Sequence, residues 1–78
     1  MKQVYVKFDS LEQVNRFVNL IDKFDADFML GIGKHTVDAK SILGIATLDL
    51  SKPLRLRYDS DDARIREQIT PFLAEDHG

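Results

Sequence analysis

Seventy-eight residues allow one small domain, and a chain of this size buries only about 60% of its unfolded surface. Eleven basic against thirteen acidic residues leave a net charge of −2, so no overall basic field exists to hold nucleic acid or anionic lipid. The absence of cysteine excludes a disulfide staple, a thiol nucleophile and a thiolate metal site, and the core must hold by packing alone. The start of the chain has no signal-peptide apolar stretch, and no run approaches the roughly 18 apolar residues of a membrane span. The expected location is cytoplasmic, with no membrane and no nucleic-acid partner.

Val4, Val6 and Phe8 alternate with Tyr5 and Lys7, the period of a half-buried strand. Ser10 then precedes Leu11, Val14, Phe17, Val18, Ile21 and Phe24, whose spacing of three and four predicts an amphipathic helix capped by Ser10. Lys23 falls in its last turn, where a cation is favoured. Asp27 to Ile32 is nearly all apolar and reads as an interior strand with Phe28, Leu30 and Ile32 on one face. The run Gly31-Ile32-Gly33-Lys34 marks a turn, after which His35 to Asp38 pairs back as a third strand.

Ser41 opens a second apolar stretch, Ile42, Leu43, Ile45, Ala46 and Leu48, suited to a short helix lying against a sheet, although Gly44 weakens it. Ser51-Lys52-Pro53 breaks the pattern, and Leu54, Leu56 and Tyr58 alternate with Arg55 and Arg57 as a fourth strand. Asp59-Ser60-Asp61-Asp62 offers helix caps, and the following helix carries Ile65, Ile69, Phe72 and Leu73. Pro71 removes a hydrogen bond to the carbonyl of Glu67, which predicts a kink or an early end. Glu75 to Gly78 is expected to fray. The order strand, helix, strand, strand, helix, strand, helix in a single domain, 1–78, favours an α+β fold, an antiparallel sheet covered on one face by helices.

The stretch Lys34-His35-Thr36-Val37-Asp38-Ala39-Lys40-Ser41-Ile42-Leu43-Gly44-Ile45 closely resembles the regulatory-serine segment of HPr, the phosphocarrier of the bacterial sugar phosphotransferase system. Lys23-Phe24-Asp25-Ala26-Asp27 is similar to that family's passage from first helix to second strand, and the likeness covers roughly residues 4 to 74. The fold this implies is the HPr-like open-faced β-sandwich, with four antiparallel strands in the order 1-4-2-3 and three helices on one face.

The family's acceptor histidine stands in a Gly-Leu-His-Ala-Arg-Pro-Ala motif, whereas the corresponding stretch here reads Asp9-Ser10-Leu11-Glu12-Gln13-Val14. By this resemblance Ser10 takes the histidine position, Glu12 the arginine position and Gln13 the proline position. A phosphoryl carrier needs an imidazole nitrogen to accept the group and a cation to hold its charge, and the chain's histidines are His35 and His77. The resemblance matches Ser41 to the serine phosphorylated by an HPr kinase/phosphorylase, a mark that lets the carrier bind a transcription regulator. The residues themselves also allow Ser41 a plain role, capping the second helix at an N–H near Gly44.

Lys40, Ile42, Leu43, Ile45 and Ala46 are the candidate partner-binding residues, since this helix holds more apolar side chains than one buried face requires and belongs to the family's docking surface. Lys7, Arg55 and Arg57, with Tyr5, are expected to cluster on the uncovered sheet face, where a solvated surface, an acidic partner or a stacked base are all readings. Asp59, Asp61 and Asp62 lack the spacing of a calcium loop, His35 has no companion ligand, and Gly31-x-Gly33 is a turn signal and not a phosphate loop. No metal, cofactor or enzymatic activity is expected. The expected function is a non-catalytic HPr-like regulatory or docking module that has lost the phosphohistidine site. The alternatives are a phosphocarrier still active through an unusual acceptor and an unrelated interaction domain.

Overall fold

The computed structural model describes residues 1–74; the expectation of a frayed end at Glu75 to Gly78 lies outside the described residues. Its elements are β1 (Lys2–Val6), α1 (Leu11–Ile21), β2 (Phe28–Ile32), β3 (His35–Asp38), α2 (Ile42–Ile45), β4 (Leu54–Tyr58) and α3 (Ala63–Ile69), followed by a 3-10 turn at Thr70–Phe72. The four strands form one antiparallel sheet in the order β1-β4-β2-β3, with the helices layered on one face. This is the architecture that the resemblance implied.

Strand periodicity accounts for the two layers. Val6, Leu54, Leu56, Tyr58, Phe28 and Leu30 point to the helices and are buried, while their neighbours Arg57 and Met29 are exposed on the open face. From the helical layer Val14, Phe17, Val18, Ile21, Ile45, Ile65 and Ile69 close the core. At one end Phe8, Phe17 and Phe72 meet edge to face or tilted, with centroids 5.1 to 5.9 Å apart. No polar or charged side chain among the described residues is buried.

The structure revises several boundaries. α1 ends at Ile21, and the N–H groups of Asp22 and Phe24 bond back to Val18 and Ile21 as the chain turns away, so Lys23 does not lie in the last turn. The freed carbonyl of Phe24 is taken by the Lys40 ammonium at 2.8 Å. Gly31 is a β2 residue paired with Thr36 and Arg55, and the turn is the two-residue Gly33-Lys34, with Gly33 at φ +59°. Pro71 ends α3 at Ile69, in keeping with the expected early stop. The segment after it then adds to the free edge of β1: Lys7 N–H donates to Phe72, Ala74 N–H donates to Tyr5, and Val6 bridges Leu73. Nothing in the local sequence signals that pairing, because it joins residues almost seventy positions apart.

Candidate functional site

The connection from β1 to α1 delivers Ser10 to the mouth of α1 in an extended conformation, where its Oγ accepts the N–H of Gln13 at 3.3 Å. Gln13 Oε1 reaches back to accept the Asp9 N–H at 2.8 Å, so the two side chains close a capping arrangement around the first turn. Glu12 pairs with Arg16 one turn on at 3.5 Å, and Lys7 pairs with Asp9 at 3.7 Å, all on the surface. The hydroxyl at this helix end is therefore an occupied acceptor, flanked by carboxylates whose cations are already paired.

α2 packs against both α1 and β3. Its cap is Ser41, whose Oγ accepts the Gly44 N–H at 3.2 Å, so the capping role expected of this serine is present. Ser41 N–H in turn donates to the Asp38 carbonyl at 3.0 Å, which fixes the loop joining β3 to the helix. Gly44 lies directly on β3: a Cβ added there would stand 3.3 Å from both Val37 Cβ and Ser41 Oγ. Beyond the helix, Leu50 and Ser51 line an open groove together with Ser10 and Leu11, which brings the end of the α2 segment to the mouth of α1.

The apolar residues of α2 divide in two. Leu43 is 84% and Ile42 41% exposed, and Ala46 is also exposed, while Leu11 stands 60% exposed at the start of α1. Ile45, in contrast, is wholly buried and cannot touch a partner, which corrects its place among the docking residues. Its side chain joins the core, and Leu43, two residues earlier and about 200° away around the helix axis, is thereby turned outward. Lys40 is corrected too. Its ammonium bonds the Phe24 carbonyl and lies 5.6 Å over the Phe28 ring, so it braces the α1 exit and does not extend beside Ser41.

The basic sheet face is smaller than its sequence pattern suggests. Tyr5 pairs with Arg55 and Gln3 with Arg57 across β1 and β4, but Lys7 lies beyond the end of β1 and turns to Asp9. Arg55 folds across Gly31 and donates to the Gly33 carbonyl at 3.0 Å. Asp62 caps α3 through the Arg64 N–H and holds the Arg64 guanidinium in two-point contact, with its closest approach at 2.7 Å. The Arg64 side-chain bond holds the Asp62 carboxyl below its usual range, and the hydrogen bonds from Ser51 do the same for Asp49. No group of three or more potential metal ligands converges among the described residues. No helix there is long and apolar enough to cross a membrane.

His35, read from sequence as an isolated hairpin residue, is joined through Nε2 to Thr47 Oγ1 at 3.3 Å. Sequence reasoning had no means to find this contact, nor those of Lys40 and Arg55, since each links residues brought together only by the sheet order.

Comparison with known proteins agrees with this geometry. No curated protein matches the sequence significantly. Among solved structures, HPr-C-His from Thermoanaerobacter tengcongensis has a TM-score of 0.76 at 24% identity, covering 91% of this chain and 89% of that one. The phosphocarrier protein HPr from Bacillus anthracis has a TM-score of 0.69 at 25% identity, covering 94% of each chain. The histidine-containing phosphocarrier protein of a Mycoplasma shares the fold, with a TM-score of 0.67 at 13% identity over 96% and 98% of the two chains. The family model described as "PTS HPr component phosphorylation site" matches residues 12–73, from α1 through the turn after α3. With most of its length under that match and the strand order of these structures, the chain belongs to the HPr family of the phosphotransferase system.

Proposed function

We propose that this HPr-family protein has lost the phosphohistidine relay and acts as a regulatory or docking module through Ser41 and α2. The observation that carries the reading is the mouth of α1: Ser10 caps the helix there, and Glu12 stands two residues on, tied to Arg16. Phosphohistidine chemistry requires an imidazole nitrogen to bond phosphorus and cationic or N–H donors to hold the added charge. The helix end remains, but Ser10 occupies the position of the acceptor, and Glu12 would repel the group. His35 belongs to β3 and is spent on Thr47.

The exposed set Leu11, Ile42, Leu43 and Ala46 gives such a module an apolar contact surface, and Ser41 stands half-buried beside it with its Oγ on the Gly44 N–H, a bond that phosphorylation would have to release or replace. The partners implied are proteins, an HPr kinase/phosphorylase or a transcription regulator, and the location implied is cytoplasmic. Incubation with phosphoenolpyruvate and the general enzyme of the phosphotransferase system is expected to leave the chain without acid-labile phosphate. Such a label on the protein would overturn the loss of the relay. HPr kinase with ATP is expected to add one phosphoryl mass that Ser41→Ala abolishes; no Ser41-dependent gain removes the regulatory part of the reading.

A further inference from the structure

The placement of α2 poses a physical problem. A helix of four residues containing a glycine has no stability of its own, since nucleating a turn costs more than a single turn returns. Something outside it must hold its exposed face in one orientation. Ile45 and Leu48 anchor its underside in the core, but two apolar contacts alone leave rotation about their common line unopposed.

The polar contacts supply the missing constraint. Thr47 Oγ1 donates its only proton to the Gly44 carbonyl at 2.6 Å. The same oxygen lies 3.3 Å from His35 Nε2, and with its proton committed it can only accept there, so Nε2 must carry hydrogen. The result is a directed chain, His35 Nε2–H to Thr47 Oγ1–H to Gly44 C=O. Each donor in such a chain polarises the next. It ends on the same residue whose N–H is capped by Ser41 Oγ and whose Cα rests on Val37 of β3. His35 opens β3 opposite Ile32, directly after the Gly33-Lys34 turn, so the hairpin grips α2 from its far end.

We propose that His35 is a positioning residue for α2: through Thr47 it locks Gly44, and with it sets the orientation in which Ile42, Leu43 and Ser41 are presented. The role in docking rests on the reading of α2 as the contact helix, whereas the clamp itself does not. Loss of the imidazole frees the Thr47 hydroxyl to leave Gly44 and loosens the end of α2 and the turn after it while the sheet stays intact.

Amide hydrogen exchange followed by NMR on the full chain separates these points. His35→Ala is expected to speed exchange at the amides of Ile45 to Leu48 about fivefold, the opening change that follows from losing one net hydrogen bond. Amides of Leu30 and Leu56 in the sheet centre are expected to change far less. Thr47→Val should reproduce the pattern, and His35→Gln, whose side-chain amide also donates, should restore part of the protection. Unchanged exchange at Ile45 to Leu48 in His35→Ala overturns the proposal, as does an acceleration shared equally with Leu30 and Leu56. Phosphorylation by HPr kinase, measured in parallel, tests the other layer. Wild-type chain that is never modified at Ser41 removes the regulatory part of the reading, while the exchange pattern independently decides the clamp.

Discussion

Replacing Gly31 by alanine tests how β2 meets β4 and the hairpin turn. A Cβ at this position would stand 2.8 Å from Thr36 Cγ2, 3.0 Å from Arg55 Nη2 and 3.0 Å from the His35 carbonyl oxygen. The first distance is shorter than carbon atoms tolerate, and the third involves backbone that cannot rotate aside. Over-packing of this kind costs about 1–3 kcal/mol. Alanine would also remove freedom from the unfolded chain, a gain of about 0.4–1 kcal/mol. The net expectation is a loss of about 1–2 kcal/mol, or a fall in melting temperature of about 5–15 °C for a domain of this size. Thermal unfolding by circular dichroism measures it. A double-mutant cycle with Thr36→Ser, which deletes the nearest carbon, should recover a measurable part of the loss. Gly31→Ala at wild-type stability or above, or strict additivity with Thr36→Ser, would refute the steric account.

Four further outcomes follow from the helix ends and from α2. Ser10→Ala removes the α1 cap and should cost about 1 kcal/mol in chemical denaturation, and the pair Ser10→His with Glu12→Arg should make the chain labelable by phosphoenolpyruvate and the general enzyme; a folded double variant that takes no label would count against the α1 mouth as the missing acceptor site. Leu43→Asp should leave stability within about 0.5 kcal/mol, its side chain being exposed, whereas Ile45→Ala should cost about 2–5 kcal/mol; a reversal would show that α2 faces the other way. Asp62 has its folded-state carboxyl held below the unfolded value of 3.8, chiefly by the Arg64 hydrogen bond, so its contribution is full above that value and fades as pH falls through and below it. The acid limb of a stability–pH profile should therefore be shallower in Asp62→Asn, and an unchanged limb would remove this pair from the account.

The linear chain determined the parts that depend on period and on chemistry present or missing. Alternation at Leu54, Leu56 and Tyr58 placed β4, the three-and-four spacing from Val14 to Ile21 placed α1, and caps at Ser10 and Ser41 were legible because a hydroxyl before an apolar run has a local use, whereas Asp59 to Asp62 offered several caps for α3 and the structure selects Asp62. The want of an imidazole before α1 needed no coordinates.

Packing decided the rest. Which α2 residues face outward could not be read from Ile42-Leu43-Gly44-Ile45, since one turn holds too few residues to show a face, and contact with α1 and β3 settles that Ile45 goes inward and Leu43 outward. The end of α1 before Lys23, the bond from Lys40 to Phe24, the fold of Arg55 over Gly31 and the grip of His35 on Thr47 all arise from groups distant in sequence. A side chain chooses among the partners that the sheet order brings within its reach, and strand order is a property of the whole core and not of any segment.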